Sequence, residues 1–198
     1  MKNLSNYKIK NKKILFRADL NVPVVNKVIT DTSRISAIKS SIKKLILNQN
    51  KIFILAHYGR PKGEVIKKYS LKFIIPSLIE VLEIKKIHFL ENLHKENIKK
   101  KINEIEFGEV CLVENIRFLK SEEKIDLDFA KNISSLFDVY VNDAFSASHR
   151  NHSSITGFDD SCFSGNYITN DVSVEYLKEL QNSRSDVAKR QRKTEGLT

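Results

Sequence analysis

Short apolar runs alternate with helical patterns along most of the chain, and this alternation restricts the possible folds more than any other feature. The runs KIFILAH (51–57) and EVCLVEN (109–115) are nearly continuous in apolar residues. Such runs are typical of parallel strands that are buried on both faces of a sheet. Three further strands are predicted over 13–19, 86–90 and 138–145.

Segments with apolar residues at helical spacing separate these strands. They are predicted as helices over 32–48, from residue 70 or later, near 94–105 and over 126–136. Pro76 favours a late start for the second helix, because a proline beyond the first turn removes a hydrogen bond. Strand–helix–strand alternation predicts a three-layer, Rossmann-like α/β fold: a parallel sheet with helices on both faces.

The composition of the 198 residues is that of an ordinary globular protein, with 41% hydrophobic and 29% charged residues. Such a length suits one large domain or two small ones. No apolar run approaches the roughly 20 residues that span a membrane, and the N-terminus shows no secretory signal. Cys111 and Cys162 have neither metal-ligand nor disulfide spacing, so the predicted compartment is a reducing cytoplasm, and no metal site is predicted.

The formal net charge is +10, which raises nucleic acid as a partner. The excess is mostly lysine, scattered over predicted helix faces with few aromatic residues between, as in NIKKKINEI. Such runs are usually solvated faces. Nucleic-acid binding is therefore the less favoured alternative, and it would show a steep loss of affinity with salt.

Arginine is used differently from lysine. Three of the eight arginines lie in the tail after residue 183, and the other five lie at strand ends or at a helix start. Those five are Arg17, Arg34, Arg60, Arg117 and Arg150. The guanidinium fork binds phosphate or carboxylate through two hydrogen bonds, which lysine cannot do. Five such positions predict a site for a small, multiply charged anion.

Ligands of open α/β sheets bind beyond the carboxyl ends of the strands. Polar residues follow four of the five predicted strands: Arg17, Asp19 and Asn21; His57, Gly59 and Arg60; Asn115 and Arg117; Asp143, His149 and Arg150. Taken singly, Asp19 reads as a turn residue, Asn21 as a cap and His57 as a loop histidine. Taken together, they predict one polar site at a shared edge, and Arg17 and Asp19 are charged because their strand runs out into it.

The motifs at these positions resemble those of one family. They are RADLNVP, ITDTSRI, AHYGRPKG, YSL, GEVCLVENIRF, EEK and DVYVNDAFSASHRNHSS, in family order and with family-like spacing from about residue 8 to 158. The chain thereby resembles the N-terminal, substrate-binding domain of phosphoglycerate kinase. A weaker similarity continues to about residue 182.

The resemblance implies binding of 3-phosphoglycerate, or of 1,3-bisphosphoglycerate in the reverse direction. It implies that Asp19 and Asn21 bind the glycerate end, and that Arg34 reaches the transferring phosphoryl group as the catalytic residue. A basic patch would bind the phosphate: Arg17, His57, Arg60, Arg117 and Arg150. Leu20, Tyr58 and Gly59 complete the implied substrate-binding set.

The resemblance also sets the expected domains: a phosphoglycerate-binding domain over 1–158, the start of an interdomain segment or helix over 159–182, and a divergent, disordered basic tail over 183–198. The family binds Mg-ATP or ADP in a C-terminal nucleotide domain, whose glycine-rich motifs are absent here. A premature end, a frameshifted gene or an engineered fragment would each explain this.

The chain is therefore expected to be a monomer that binds the phosphoglycerate, binds no nucleotide cofactor and does not catalyse transfer alone. A non-catalytic remnant of the enzyme remains a further alternative.

Overall fold

The computed structural model describes residue 4 and residues 7–26, 28–122, 124, 126–144, 153–156 and 167–169. Its strands are β1 Lys13–Ala18, β2 Val24–Val25, β3 Val28–Ile29, β4 Lys51–Leu55, β5 His88–Leu90, β6 Val110–Val113, β7 Val139–Asp143 and β8 Tyr167–Thr169. Its α-helices are α1 Ser33–Ala37, α2 Lys39–Leu47, α3 Ile75–Leu82, α4 Lys95–Glu104, α5 Leu127–Ser134 and α6 Ser153–Thr156. In the described residues, 3₁₀ segments lie at Lys67–Tyr69, Leu71–Ile74 and Ile116–Phe118.

Six strands form one sheet in the order β5-β6-β4-β1-β7-β8, and each pairing among these described strands is parallel. In the register, Arg17 of β1 is opposite Leu55 of β4 and Asn142 of β7. The carboxyl ends of these three strands therefore meet at one edge, which we call the carboxyl edge. This position is where the fold class places a ligand.

The core consists of two apolar layers, one on each face of the sheet. Alternate residues of β1 separate between them: Ile14 and Phe16 pack with helices α1, α2 and α3, whereas Leu15 packs with α4 and α5. Successive side chains of a strand point to opposite faces, so nearly continuous apolar strands serve both layers. The predicted fold, a parallel sheet with helices on both faces, is confirmed.

The helices differ in detail from the prediction. The helix predicted over 32–48 is two helices, α1 and α2, which meet at the buried residue Ile38. The late start that Pro76 predicted is confirmed: a 3₁₀ turn over Leu71–Ile74 precedes α3, and Pro76 lies in the first turn of α3. There the proline costs no helix hydrogen bond.

Several short elements were not predicted. The two-residue strands β2 and β3 form an antiparallel hairpin, with Asn26 at a positive φ of 50° in its turn. Strand β8 adds to the sheet beside β7, inside the segment 159–182 that the sequence assigned to the start of an interdomain segment. The predicted basic tail over 183–198 lies outside the described residues.

No helix in the described part of the chain is long and apolar enough to cross a membrane. Among the same residues, no group of three or more His, Cys, Asp or Glu side chains is placed to hold a metal ion.

Candidate anion site at the carboxyl edge

Arg17 lies at the end of β1 with only 1% of its surface exposed. Its guanidinium donates to the backbone oxygens of Ala18 at 2.7 Å and Leu55 at 3.3 Å, and its Nε donates to Ser154 Oγ at 3.1 Å. Burial lowers the pKa of Arg17, and the charge of Glu122 opposes this shift. These hydrogen bonds compensate for burying the cation, so the protein itself holds the guanidinium in place.

The fourth guanidinium contact joins Arg17 to the buried His57, with Nη2 at 3.2 Å from Nδ1. Arginine only donates hydrogen bonds, so the Nδ1 of His57 must accept. A neutral imidazole that accepts at Nδ1 carries its hydrogen on Nε2. The structure therefore brings Arg17, at the end of β1, together with His57, which follows β4, as the sequence predicted.

The loop after β1 holds Asp19, Leu20 and Asn21. Asp19 forms an ion pair with Arg34 of α1, which joins that arginine to the edge, and burial lowers the pKa of Arg34. The backbone N–H of Asn21 donates to Asp19 Oδ1 at 3.1 Å. Leu20 is fully buried and anchors the loop in the core.

Asn21 is itself exposed, and its Oδ1 accepts from the backbone N–H of Gly59 at 3.1 Å. The Gly59 oxygen accepts from Nη1 of the buried Arg117 at 2.7 Å. Gly59 has a positive φ of 62°, and a Cβ there would lie 2.4 Å from the ring of Tyr69. Both the backbone angle and the lack of space require glycine at this turn.

Asn115 fixes the backbone of Tyr58 beside this turn. Its side chain accepts from the Tyr58 N–H at 3.3 Å and donates to the oxygens of Tyr58 at 2.7 Å and Tyr69 at 2.9 Å. Burial raises the pKa of the Tyr58 hydroxyl. Arg60 follows with its side chain exposed to solvent, whereas Arg150 lies outside the described residues.

Sequence reasoning missed a buried group beneath the edge. Glu122 is fully buried, and its carboxylate accepts from both the N–H and the hydroxyl of Ser154. Burial is the main cause that raises the pKa of Glu122. The signal available was the EEK motif, but adjacent acidic residues beside a lysine usually indicate a solvated turn.

A parallel sheet with helices on both faces defines the class of the chain as an α/β protein, and basic side chains lie at the carboxyl ends of its strands. The sequence model of the family described as phosphoglycerate kinase matches residues 4–188. The chain belongs to the phosphoglycerate kinase family.

Individual proteins similar to the chain are also phosphoglycerate kinases. The chain is 44% identical over 158 residues to a phosphoglycerate kinase of Prochlorococcus marinus. The aligned region covers 79% of this chain and 39% of that protein. A phosphoglycerate kinase of Sinorhizobium fredii is 44% identical over 149 residues, covering 75% of this chain and 37% of that protein. The chain thus spans about two fifths of the length of these relatives.

Solved structures agree in fold. Phosphoglycerate kinase from Coxiella burnetii matches 91% of this chain and 44% of its own, with a TM-score of 0.74 and 29% identity. The enzyme from Pyrococcus horikoshii matches 91% of this chain and 45% of its own, with a TM-score of 0.77 and 27% identity.

Proposed function

We propose that the carboxyl edge binds 3-phosphoglycerate, or 1,3-bisphosphoglycerate in the reverse direction, within the reversible transfer of a phosphoryl group between 1,3-bisphosphoglycerate and ADP. The observation that carries the proposal is that Arg34, His57 and Arg117 all bond to groups at the carboxyl edge of a chain of the phosphoglycerate kinase family. Arg60 follows Gly59, whose backbone is bonded to Arg117. Arginine forks suit the planar oxygens of phosphate and carboxylate.

The residues take different parts in this proposal. Asp19 and Asn21 hydrogen-bond the glycerate end, and Arg60 and Arg117 neutralise the phosphate together with Arg150. Because the Arg17 guanidinium is buried and bonded to protein groups, it acts on the ligand chiefly by orienting His57. Phosphoryl transfer depends on positioning and charge neutralisation, which arginines supply.

Arg34 has a separate part. Its side chain is ion-paired with Asp19 at the carboxyl edge, and about a third of that side chain (36%) is exposed. We propose that it turns to the transferring phosphoryl group when substrate binds, because charge develops on that group's oxygens in the transition state.

The family uses Mg-ATP or ADP, which supplies or accepts the phosphoryl group. The described residues include no group of three or more His, Cys, Asp or Glu side chains that could hold Mg²⁺. We propose that transfer requires a nucleotide-binding part beyond the described residues, that the chain is a monomer, and that it works in the cytoplasm.

Calorimetric titration tests the proposal with three ligands: 3-phosphoglycerate, ATP and a random oligonucleotide. We expect saturable binding of 3-phosphoglycerate alone. Arg60→Ala should weaken it about tenfold or more, since a charge-assisted hydrogen bond contributes about 1.5–3 kcal/mol. Arg60→Lys should also lose affinity because the fork is lost.

Lys99→Ala is the matched control, since it removes one exposed positive charge from α4. It should bind 3-phosphoglycerate like the unaltered chain. Tighter binding of ATP than of 3-phosphoglycerate would refute the site assignment. Salt-sensitive binding of the oligonucleotide alone would favour the nucleic-acid alternative.

A further inference from the structure

Glu122 lies beneath the carboxyl edge and is buried from solvent, with 0% of its surface exposed. Its Oε2 accepts from the backbone N–H of Ser154 at 3.0 Å, and its Oε1 accepts from Ser154 Oγ at 2.5 Å. Burying a carboxylate is costly unless it is hydrogen-bonded and near an opposite charge. A turn held only by local hydrogen bonds would not need a buried carboxylate. The burial of Glu122 against Ser154 therefore indicates a role beyond the turn.

Ser154 connects Glu122 to Arg17. A serine hydroxyl has one hydrogen to donate, and Ser154 Oγ gives it to Glu122 at 2.5 Å. The same oxygen is left to accept from Arg17 Nε, which lies at 3.1 Å. Tyr140 donates its hydroxyl hydrogen to the Ser154 backbone oxygen, and the charges of Arg17 and Arg117 both act on Glu122. The positive charge of Arg17 at one end and the negative charge of Glu122 at the other thus determine which atoms donate and which accept along this chain of hydrogen bonds.

The remaining guanidinium nitrogens of Arg17 lead to the site. Nη1 donates to the oxygens of Ala18 and Leu55 and Nε donates to Ser154, and these three bonds together fix the plane of the group. Nη2 then faces His57 Nδ1 at 3.2 Å. A rotation of the guanidinium would move this donor away from the imidazole, and the tautomer of His57 would no longer be determined by Arg17.

We propose that Glu122 is a positioning residue for the carboxyl edge: through Ser154 and Arg17 it fixes the ring orientation and the Nε2–H tautomer of His57. The functional consequence rests on the proposed function, in which His57 contacts the phosphoglycerate. The structural link from Glu122 to His57 does not depend on the proposed function. Glu122 touches no reacting atom and acts only through its neighbours.

Nitrogen NMR of the histidine rings tests the link, with His57 assigned by comparison with His57→Gln. In the unaltered chain His57 should show an unprotonated, hydrogen-bonded Nδ1 and a protonated Nε2. Glu122→Gln keeps the shape of the side chain, but it removes the charge and substitutes an N–H₂ donor for one acceptor oxygen. We expect the Nδ1 and Nε2 signals of His57 to move toward a mixture of tautomers.

Glu109→Gln is the matched control. Glu109 precedes β6 at the opposite edge, where its carboxylate contacts Nε2 of His88 at 2.8 Å. This variant should change the His88 signals and leave those of His57 unchanged. Ser154→Ala is the second test variant, because it removes the bridging oxygen and no charge. It decides the matter if Glu122→Gln does not fold.

Binding of 3-phosphoglycerate supplies a separate arm, in which Glu122→Gln should weaken affinity about tenfold. If the unaltered chain does not bind 3-phosphoglycerate, the proposed function fails while the ring-nitrogen shifts still test the link. Unchanged His57 signals in folded Glu122→Gln, or in Ser154→Ala should the first variant not fold, would overturn the proposal.

Discussion

Gly59→Ala should destabilise the protein more than Gly108→Ala. Both glycines have a positive φ, but only a Cβ added at Gly59 would clash with a neighbouring side chain. Gly59 has φ 62°, and an added Cβ would lie 2.4 Å from two ring atoms of Tyr69. A left-handed backbone costs an alanine about 1–2 kcal/mol. Overpacking against the ring adds about 1–3 kcal/mol, so the expected loss in free energy of unfolding is about 2–5 kcal/mol.

Gly108→Ala separates the two contributions. Gly108 also has a positive φ, of 92°, but the nearest atom to its added Cβ would be in the Gln49 side chain at 3.5 Å, an ordinary contact. Its loss should therefore be backbone strain alone, about 1–2 kcal/mol. The entropy that alanine removes from the unfolded chain is common to both variants and cancels in the comparison.

Urea unfolding of the two variants gives the comparison directly. Gly59→Ala should also weaken 3-phosphoglycerate binding, because Asn21 and Arg117 are both hydrogen-bonded to the Gly59 backbone. Gly108→Ala, at the opposite edge, should not. Equal losses of stability in the two variants would refute the assigned clash with Tyr69.

Three further predictions concern the scaffold. Phe53→Ala should cost about 3–5 kcal/mol in urea unfolding, because its ring is fully buried; a loss below about 1 kcal/mol would contradict this. Burial raises the pKa of Cys111 to about 12, so in a Cys162→Ser background the thiol should react with Ellman's reagent at pH 8 only as fast as the protein unfolds. Hydrogen bonds from Lys39 and Lys43 lower the pKa of Glu83 to about 2, so the stability that Glu83 contributes should be present above about pH 4.5 and be lost as the pH falls toward 2. Glu83→Gln should remove that part of the acid dependence of unfolding. An unchanged acid profile would contradict the pairing.

The sheet could be predicted from sequence because five of its strands are apolar runs that serve two core layers. Phe53 and Leu15, for example, are adjacent to residues that pack on the other face. The hairpin of β2 and β3 could not be found in this way, since each strand has only two residues and little burial. The three-residue strand β8 likewise has no apolar run to indicate it.

The site was predictable in place but not in detail. Sequence position put Arg17, His57 and Arg117 at one edge, since parallel strands align their carboxyl ends. It could not show that the Arg17 guanidinium donates to Ser154 Oγ, because Ser154 is 137 residues away along the chain. Glu122 was missed for the same reason: its burial depends on partners that only the folded chain brings close.

We propose the carboxyl edge as the ligand site. Amide NMR of the ¹⁵N-labelled chain during titration with 3-phosphoglycerate tests it most directly. Binding at the carboxyl edge should give saturable shifts concentrated at Asn21, Gly59 and Arg117, with none at Gly108 on the opposite edge. Shifts confined to the lysine-bearing helix α4, or no shifts at a concentration that saturates other binders of this anion, would contradict it.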